Sequence, residues 1–301
     1  MRFPILKLFF VVLLLVFAPR VVVQAEEWMR GAVAVASVSG DVVVEEVGGE
    51  PIQLSATKEL PLYFSGLLRV QSNKRSEAVF LKASNRISMY NSGAGFFAIE
   101  RFGQEVGASA EQAKSRMILN LRQGLLVVDH RAMGEGSQMI VETPLGRISA
   151  KQGRWLMEIA YDASGHIYNF FIECADGVLR FTDCPGATYT LRRGQRLTGA
   201  GTSMRPAIQV SELSERASRR FEAFSVLQAE ADSLELSTHA FSAKMRPMDT
   251  VTQQERPAAT VESFGAAEKR PLIIEYAPQS PPVSPFRAVI RAPSLYEADL
   301  F

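Results

Sequence analysis

Apolar and polar residues alternate along most of the chain between residues 31 and 200. Residues 117–121 and 155–159 carry Leu, Met, Ile or Trp at every second position. Because successive side chains of a strand point to opposite faces, this pattern predicts strands that bury one face. We therefore expect a mainly β fold, with a solenoid-like or layered β-domain over residues 31–200.

A hairpin is predicted over residues 32–44, where β-branched residues flank the turn Ser39-Gly40-Asp41. A second hairpin is predicted around Ala175-Asp176-Gly177. The remaining predicted strands lie at 67–71, 77–82, 86–90, 96–102, 116–122, 125–130, 138–142, 146–150, 154–160, 166–174, 178–182 and 187–191. No proline occurs between Leu62 and Thr143, so uninterrupted ladders are expected in that region.

The pattern changes to a helical one after Pro206. Apolar residues recur every three or four positions between 211 and 246, which predicts one long amphipathic helix. Two interpretations stay open: the helix packs on its own β-domain, or it forms a two-stranded coiled coil. The break in the stripe at Thr238 favours the first. The second would give a homodimer through Ala217, Phe221, Phe224, Leu227 and Leu234.

The last predicted unit, residues 247–301, holds eight of the fifteen prolines. This composition predicts a proline-rich, largely disordered tail. Two apolar islands, 272–276 and 286–290, interrupt it. Each has the character of a segment that adds a strand to a sheet edge, in this molecule or in a partner.

The first 25 residues have the layout of a secretory signal peptide. Basic Arg2 and Lys7 precede an apolar run, and Val23-Gln24-Ala25 suits cleavage after Ala25. A retained membrane anchor is the alternative, although the apolar run is shorter than a bilayer requires. Cleavage would remove three basic residues and no acid, taking the formal charge from +1 to −2. We therefore predict an exported protein of the periplasm or cell envelope, and no affinity for nucleic acid.

The chain has two cysteines, Cys174 and Cys184. In an oxidising compartment such a pair can form a structural disulfide. The predicted hairpin around Gly177 argues against it, because Cys174 would lie beside the turn and Cys184 near the far end of a strand. Both states stay open.

No motif for catalysis, metal or cofactor binding is present, so we predict a protein without enzymatic activity and without a cofactor. His130, His166 and His239 share no metal-ligand spacing. Glu142, Glu158 and Glu173 lie on predicted strands, where paired carboxylates could cleave a glycan. The ordinary interpretation of these carboxylates is the solvated side of alternating strands.

Several segments together resemble the FecR-like periplasmic domain. The most specific is Val141-Glu142-Thr143-Pro144 followed by Gly146 and an alternating strand. The glycine, threonine and proline positions that match turns of the family are Gly66, Gly124, Thr143, Pro144, Gly153, Gly177 and Gly194. The chain departs from the family where Arg154 follows Gly153 and where Ser84-Asn85 replaces an Asp-Gly turn.

The resemblance implies a β-rich, solenoid-like domain that binds or relays a signal outside the cytoplasmic membrane, without enzymatic activity. The sequence thus predicts an exported interaction or signal-relay module that binds an envelope protein or a glycan. A carrier of lipid or lipopolysaccharide with an apolar β-groove is the alternative.

Overall fold

Four long strands determine the architecture: β8 (Ile87–Glu105), β9 (Ser115–His130), β11 (Gly146–Asp162) and β12 (Ile167–Asp183). The structure, a computed structural model, describes residues 28–56, 60–84, 86–105, 113–131, 134, 136–234 and 236–247. The predicted signal peptide, and the predicted tail from residue 248 onward, lie outside these ranges.

The other strands are shorter, and the described residues also form two helices. They are β1 (Trp28–Arg30), β2 (Ala32–Ser39), β3 (Asp41–Glu46), β4 (Ile52–Ser55), β5 (Leu62–Ser65), β6 (Leu68–Ser72), β7 (Ala78–Ser84), β10 (Gln138–Thr143), β13 (Thr188–Arg192), β14 (Gln195–Thr202), β15 (Arg205–Glu212), β16 (Arg246–Pro247), α1 (Glu215–Ser233) and α2 (Thr238–Lys244). The mainly β prediction is confirmed.

The sixteen strands form one hydrogen-bonded sheet with two halves. The four long strands run through both halves and change neighbours midway. In the helix-side half they pair with β7 and β14, and β2, β5 and β15 extend that half. In the open half they pair with β6, β10 and β13, and β3 and β4 extend that half.

The predicted hairpin around Gly177 is wrong. Residues 167–183 form the single strand β12, and β8, β9 and β11 likewise each join two predicted strands. The predicted hairpin over residues 32–44 is also wrong, because β2 pairs with β5 and β7 whereas β3 pairs with β4 and β6. Gly177 bends β12 instead of reversing it, and it lies opposite Gly153 of β11 where the pairing register shifts. Both glycines have positive φ, 86° and 141°, and a Cβ on Gly153 would lie 2.4 Å from the carbonyl oxygen of Asp176. Only glycine permits this approach.

The main core is one hydrophobic cluster that receives side chains from both halves of the sheet. Trp155 and Met157 contribute from the helix-side half, and Phe97 and Phe181 from the open half; all four are fully buried. They occupy alternate positions of their strands, as the sequence pattern predicts. This cluster holds the two halves of the bent sheet together.

Helix α1 covers the outer face of the helix-side half. Phe221, Phe224 and Leu227 are buried there in a second hydrophobic cluster with sheet residues, and Ala217 is buried as well. The ring of Phe224 stacks on that of Phe80, with centroids 5.7 Å apart. This part of the apolar stripe packs on the β-domain, as the first interpretation predicts.

The predicted single helix over 211–246 is replaced by α1 and α2. Residues before 213 pair with β14 as part of β15. Helix α1 begins after Ser214, whose side chain accepts a hydrogen bond from the Ala217 amide, and it ends at Leu234, which is extended. Ser237 then caps α2 in the same way. These two serine caps, rather than the apolar stripe, set where the helices begin.

Candidate binding face

The outward side chains of β10 to β13 in the open half form an exposed polar surface, which we call the basic face. Its members are Gln138, Glu142, Arg147, Ser149, Lys151, Val178, Arg180, Thr182, Thr188, Thr190 and Arg192. They share this surface because alternate residues of a strand point to the same side. Their partners on the inward side, such as Ile148 and Leu179, are buried in the main core.

Strand register aligns three arginines diagonally across the basic face. Arg147 lies opposite Thr182, two residues from Arg180, and Arg180 lies opposite Thr190, two residues from Arg192. Diagonal neighbours of this kind are about 7–8 Å apart between their Cα atoms. The strands β11, β12 and β13 therefore present a row of guanidinium groups at regular intervals.

The basic face carries four exposed cations and one exposed acid. Arg147, Lys151, Arg180 and Arg192 are exposed, and across the described ranges none of them forms an ion pair. Glu142 lies opposite Arg147 in the β10–β11 register and is the one exposed acid of the face. Asp183 is nearly buried, and its carboxylate accepts a hydrogen bond from the Ala187 amide.

Two shallow grooves run across this face. One, of about 770 Å³, is lined by residues that include Lys151, Arg180 and Thr190. The other, of about 560 Å³, is lined by residues that include Glu142, Arg147 and Thr182. The two grooves share Gln138, Ser149 and Arg180. Together they provide cations, hydroxyls and amides along one continuous surface.

The arginines of the basic face were not singled out from the sequence. A signal is nevertheless present: basic and hydroxyl side chains alternate with core residues in 147–151 and 178–182. The sequence does not show that these two segments are neighbours. That adjacency comes from the β11–β12 register.

The three carboxylates considered for glycan cleavage do not form one group. Glu142 lies on the open half, whereas Glu158 and Glu173 lie beneath α1 on the helix-side half. Arg220 of α1 approaches Glu158 at 3.5 Å, and Arg196 approaches Glu173 at 3.4 Å. Burial raises the pKa of Glu173, and the nearby arginines oppose that shift. The Glu158 pair links α1 to the sheet, whereas the Glu173 pair joins β12 to β14.

A second polar cluster joins the later part of α1 to the sheet. The Asp129 carboxylate accepts hydrogen bonds from Arg154 at 3.2 Å and from the amide of Gln228 at 2.9 Å. Next to it, His130 is buried, and burial lowers its pKa to about 4 against the smaller opposing effect of Asp129. Among the described residues, neither ring nitrogen of His130 has a hydrogen-bond partner.

Both cysteines are free in the structure. The buried Cys174 thiol donates to the carbonyls of Asp176 and Gly177, and burial raises its pKa to about 11. Cys184 is exposed beside the Thr143-Pro144 turn, and its thiol donates to the Pro144 carbonyl. The structure does not bring the two thiols together.

The remaining positions of the FecR-like pattern lie at turns and bends. The Thr143 hydroxyl accepts hydrogen bonds from the Leu145 and Gly146 amides and closes the β10–β11 turn. Gly66 lies between β5 and β6, Gly194 between β13 and β14, and Gly124 within β9. Of these positions, Thr143 lines the smaller groove of the basic face.

Under the coiled-coil interpretation, five side chains would form a dimer interface. Four of them, Ala217, Phe221, Phe224 and Leu227, are buried on the side of α1 that faces the sheet. Leu234 differs, with 37% of its surface exposed. A dimer through this stripe would require α1 to leave its own sheet.

Neither a metal-binding cluster nor a membrane-spanning helix is found within the described ranges. No group of three or more His, Cys, Asp or Glu side chains there is arranged to hold a metal ion. No helix in that part of the chain is long and apolar enough to cross a bilayer. Comparison with protein-family models and with curated proteins gave no match. The resemblance to the FecR-like family stays a prediction.

Proposed function

We propose that this chain is an exported, non-enzymatic binding module that holds an anionic envelope glycan on its basic face. The observation that carries the proposal is the diagonal row Arg147, Arg180 and Arg192. A polymer with repeated carboxylate or phosphate groups can contact successive guanidinium groups, each forming charge-assisted hydrogen bonds. The proposal includes the FecR-like, solenoid-like character of the β-domain, which rests on the sequence pattern.

The other side chains of the face suit a glycan in particular. Ser149, Thr182 and Thr190 offer hydroxyls, and Gln138 offers an amide, all at the grooves. These groups both donate and accept hydrogen bonds, as sugar hydroxyls require.

The build of the face supports binding without chemistry. Its cations stand on rigid strands of a shallow surface, where they can hold a ligand without enclosing it. The alternative of a lipid carrier requires a continuous apolar groove. The two grooves described above instead mix apolar surface with cations, hydroxyls and amides.

The test is binding of the purified chain to two soluble polysaccharides, carboxylated alginate and neutral dextran. We expect saturable binding of alginate that weakens as salt is raised, because salt screens exposed charges, and no binding of dextran. Equal retention of both polymers, or of neither, would refute an anionic glycan site. A parallel capture from envelope extract would identify the natural polymer.

A further inference from the structure

Among the described strands, β15 is an edge of the sheet. It pairs with β14 on one side, and no described strand pairs with its other side. All eight of its residues are exposed or half-buried. An open edge of this length offers main-chain donors and acceptors to another strand.

The outward backbone groups of β15 belong to its even-numbered residues. The Leu213 amide donates to the Gly194 carbonyl at 2.7 Å, so odd-numbered residues face β14. In an antiparallel ladder, residues alternate between bonding one neighbour and facing away from it. Pro206 has no N–H and is one of these even-numbered residues. Its backbone faces away from β14, so the pairing of β14 with β15 needs no donor there. The amides and carbonyls of Ile208 and Val210 therefore point away from the sheet.

The side chains of the same residues extend the core to this edge. Val210 lies opposite the buried Leu197, and Ile208 packs against the main core. Val210 nevertheless exposes 44% of its surface. The edge thus combines unpaired backbone with apolar side chains on the core side, and another strand would cover both.

We propose that β15 pairs antiparallel with β15 of a second copy of this chain, about a two-fold axis at Gln209. This register sets Ile208 of each copy opposite Val210 of the other, and each such pair exchanges both main-chain hydrogen bonds. A register centred on Ile208 would set Val210 against the donor-less Pro206. One centred on Val210 would set Ile208 against Glu212.

The edge places no like charges opposite each other. In the register centred on Gln209, Arg205 of one copy lies opposite Leu213 of the other, and Glu212 lies opposite Pro206. The residues between Arg205 and Glu212 carry no charge. A two-fold interface must match itself in this way. The proposal concerns a surface separate from the basic face, and each can fail without the other.

Sedimentation equilibrium of the full chain over a wide concentration range tests the pairing. We expect the wild-type chain to form a dimer. The substitution Val210→Lys should raise the dissociation constant of this dimer at least tenfold, because it buries a charge against Ile208 of the second copy. The control Val226→Lys replaces a comparably exposed valine, 50%, on the outer face of α1 and should leave the dimer intact. A monomer at every concentration, or a Val210→Lys dimer as tight as wild type, would overturn the proposal.

A cross-link gives a second readout that does not depend on tolerance of the lysine. In a Cys184→Ser background, Gln209→Cys places two thiols at the two-fold axis, where opposite Cα atoms lie about 4.5 Å apart. This separation permits a disulfide. We expect oxidation to give a covalent dimer, whereas Val226→Cys in the same background gives none. Failure of Gln209→Cys to cross-link faster than Val226→Cys would exclude the register.

Discussion

Lys82 of β7 forms an ion pair with Asp232 in the last turn of α1, and the side chain of Lys82 is only 2% exposed. The two residues are 150 positions apart in the chain. Arg131 approaches the other carboxylate oxygen of Asp232 at 3.7 Å. A lysine buried in the outer face of a sheet is stable only with a partner for its charge. The helix supplies that partner and is held to the sheet in return.

Removal of the Asp232 side chain should therefore lower the free energy of unfolding more than removal of the Lys82 charge. We expect Asp232→Ala to lower the free energy of unfolding by about 2 kcal/mol, because it leaves a buried ammonium unpaired. The cost stays below that of a fully buried pair, since Asp232 exposes 42% of its side chain. Lys82→Met should change stability by less than about 1 kcal/mol. Urea denaturation of the two variants and of the double variant measures this asymmetry, and equal losses would contradict it.

Stability should fall as pH is lowered through the range set by His130. The unfolded histidine binds a proton near pH 6.5, whereas the folded one does so only near its lowered pKa of about 4. Between these two pH values the unfolded state binds more protons than the folded state. Lowering the pH across this range therefore reduces the free energy of unfolding by up to about 3 kcal/mol. Glu173, with its raised pKa, acts in the opposite direction at acidic pH, so the comparison must be made between variants.

The variant that isolates this effect is His130→Leu, which removes the proton-binding group from a site where the ring has no hydrogen-bond partner among the described residues. Denaturation midpoints of His130→Leu should change less between pH 7 and pH 4.5 than those of wild type. His166→Asn is the control, because His166 is exposed and has a positive φ of 53° that asparagine tolerates. A His130→Leu profile identical to that of wild type would show that His130 is not responsible.

The bend between the halves of the sheet should depend on Gly153. Alanine there must adopt a φ of 141° and place its Cβ 2.4 Å from the Asp176 carbonyl oxygen. We expect Gly153→Ala to cost about 3 kcal/mol or more. Gly186→Ala, also at positive φ but with no atom within 4 Å, should cost about 1–2 kcal/mol. Thermal unfolding of both variants separates the effect of the close contact on stability from that of the backbone strain. Equal losses of stability would show that the contact at Gly153 can relax.

The two cysteines should differ sharply in reactivity. Cys184 is exposed, whereas Cys174 is buried and its pKa is raised to about 11. Iodoacetamide applied to the folded, non-reduced protein should label Cys184 and leave Cys174 unlabelled until denaturation. Mass spectrometry of the peptides gives the result. Absence of labelling on both cysteines, restored by reduction, would show that a disulfide joins them.

Sequence reasoning predicted most of the strand residues and the buried face of α1, because both follow from local periodicity. Residues such as Trp155 and Phe224 are buried as their spacing predicts. The length of the strands was not predictable in the same way. Gly153 and Gly177 have the local signature of turns, and only their position opposite each other makes them bends.

The basic face could not be assembled from the sequence because its register is non-local. Strand β10 pairs parallel with β9 and antiparallel with β11, an arrangement that no local pattern specifies. Arg147 and Arg180 are 33 positions apart in the sequence, and either one alone has the pattern of an ordinary solvated residue. Their alignment becomes visible only when the pairing of β11 with β12 is known.

The most direct test of the proposed function compares alginate binding by two charge-reversal variants of equal net charge. Arg147→Glu/Arg180→Glu changes the basic face, whereas Lys74→Glu/Lys244→Glu changes two lysines outside it. We predict at least tenfold weaker binding for the first variant and a change below about twofold for the second. If both variants lost affinity equally, net charge rather than the arginine row would govern binding, and the proposed site would be wrong.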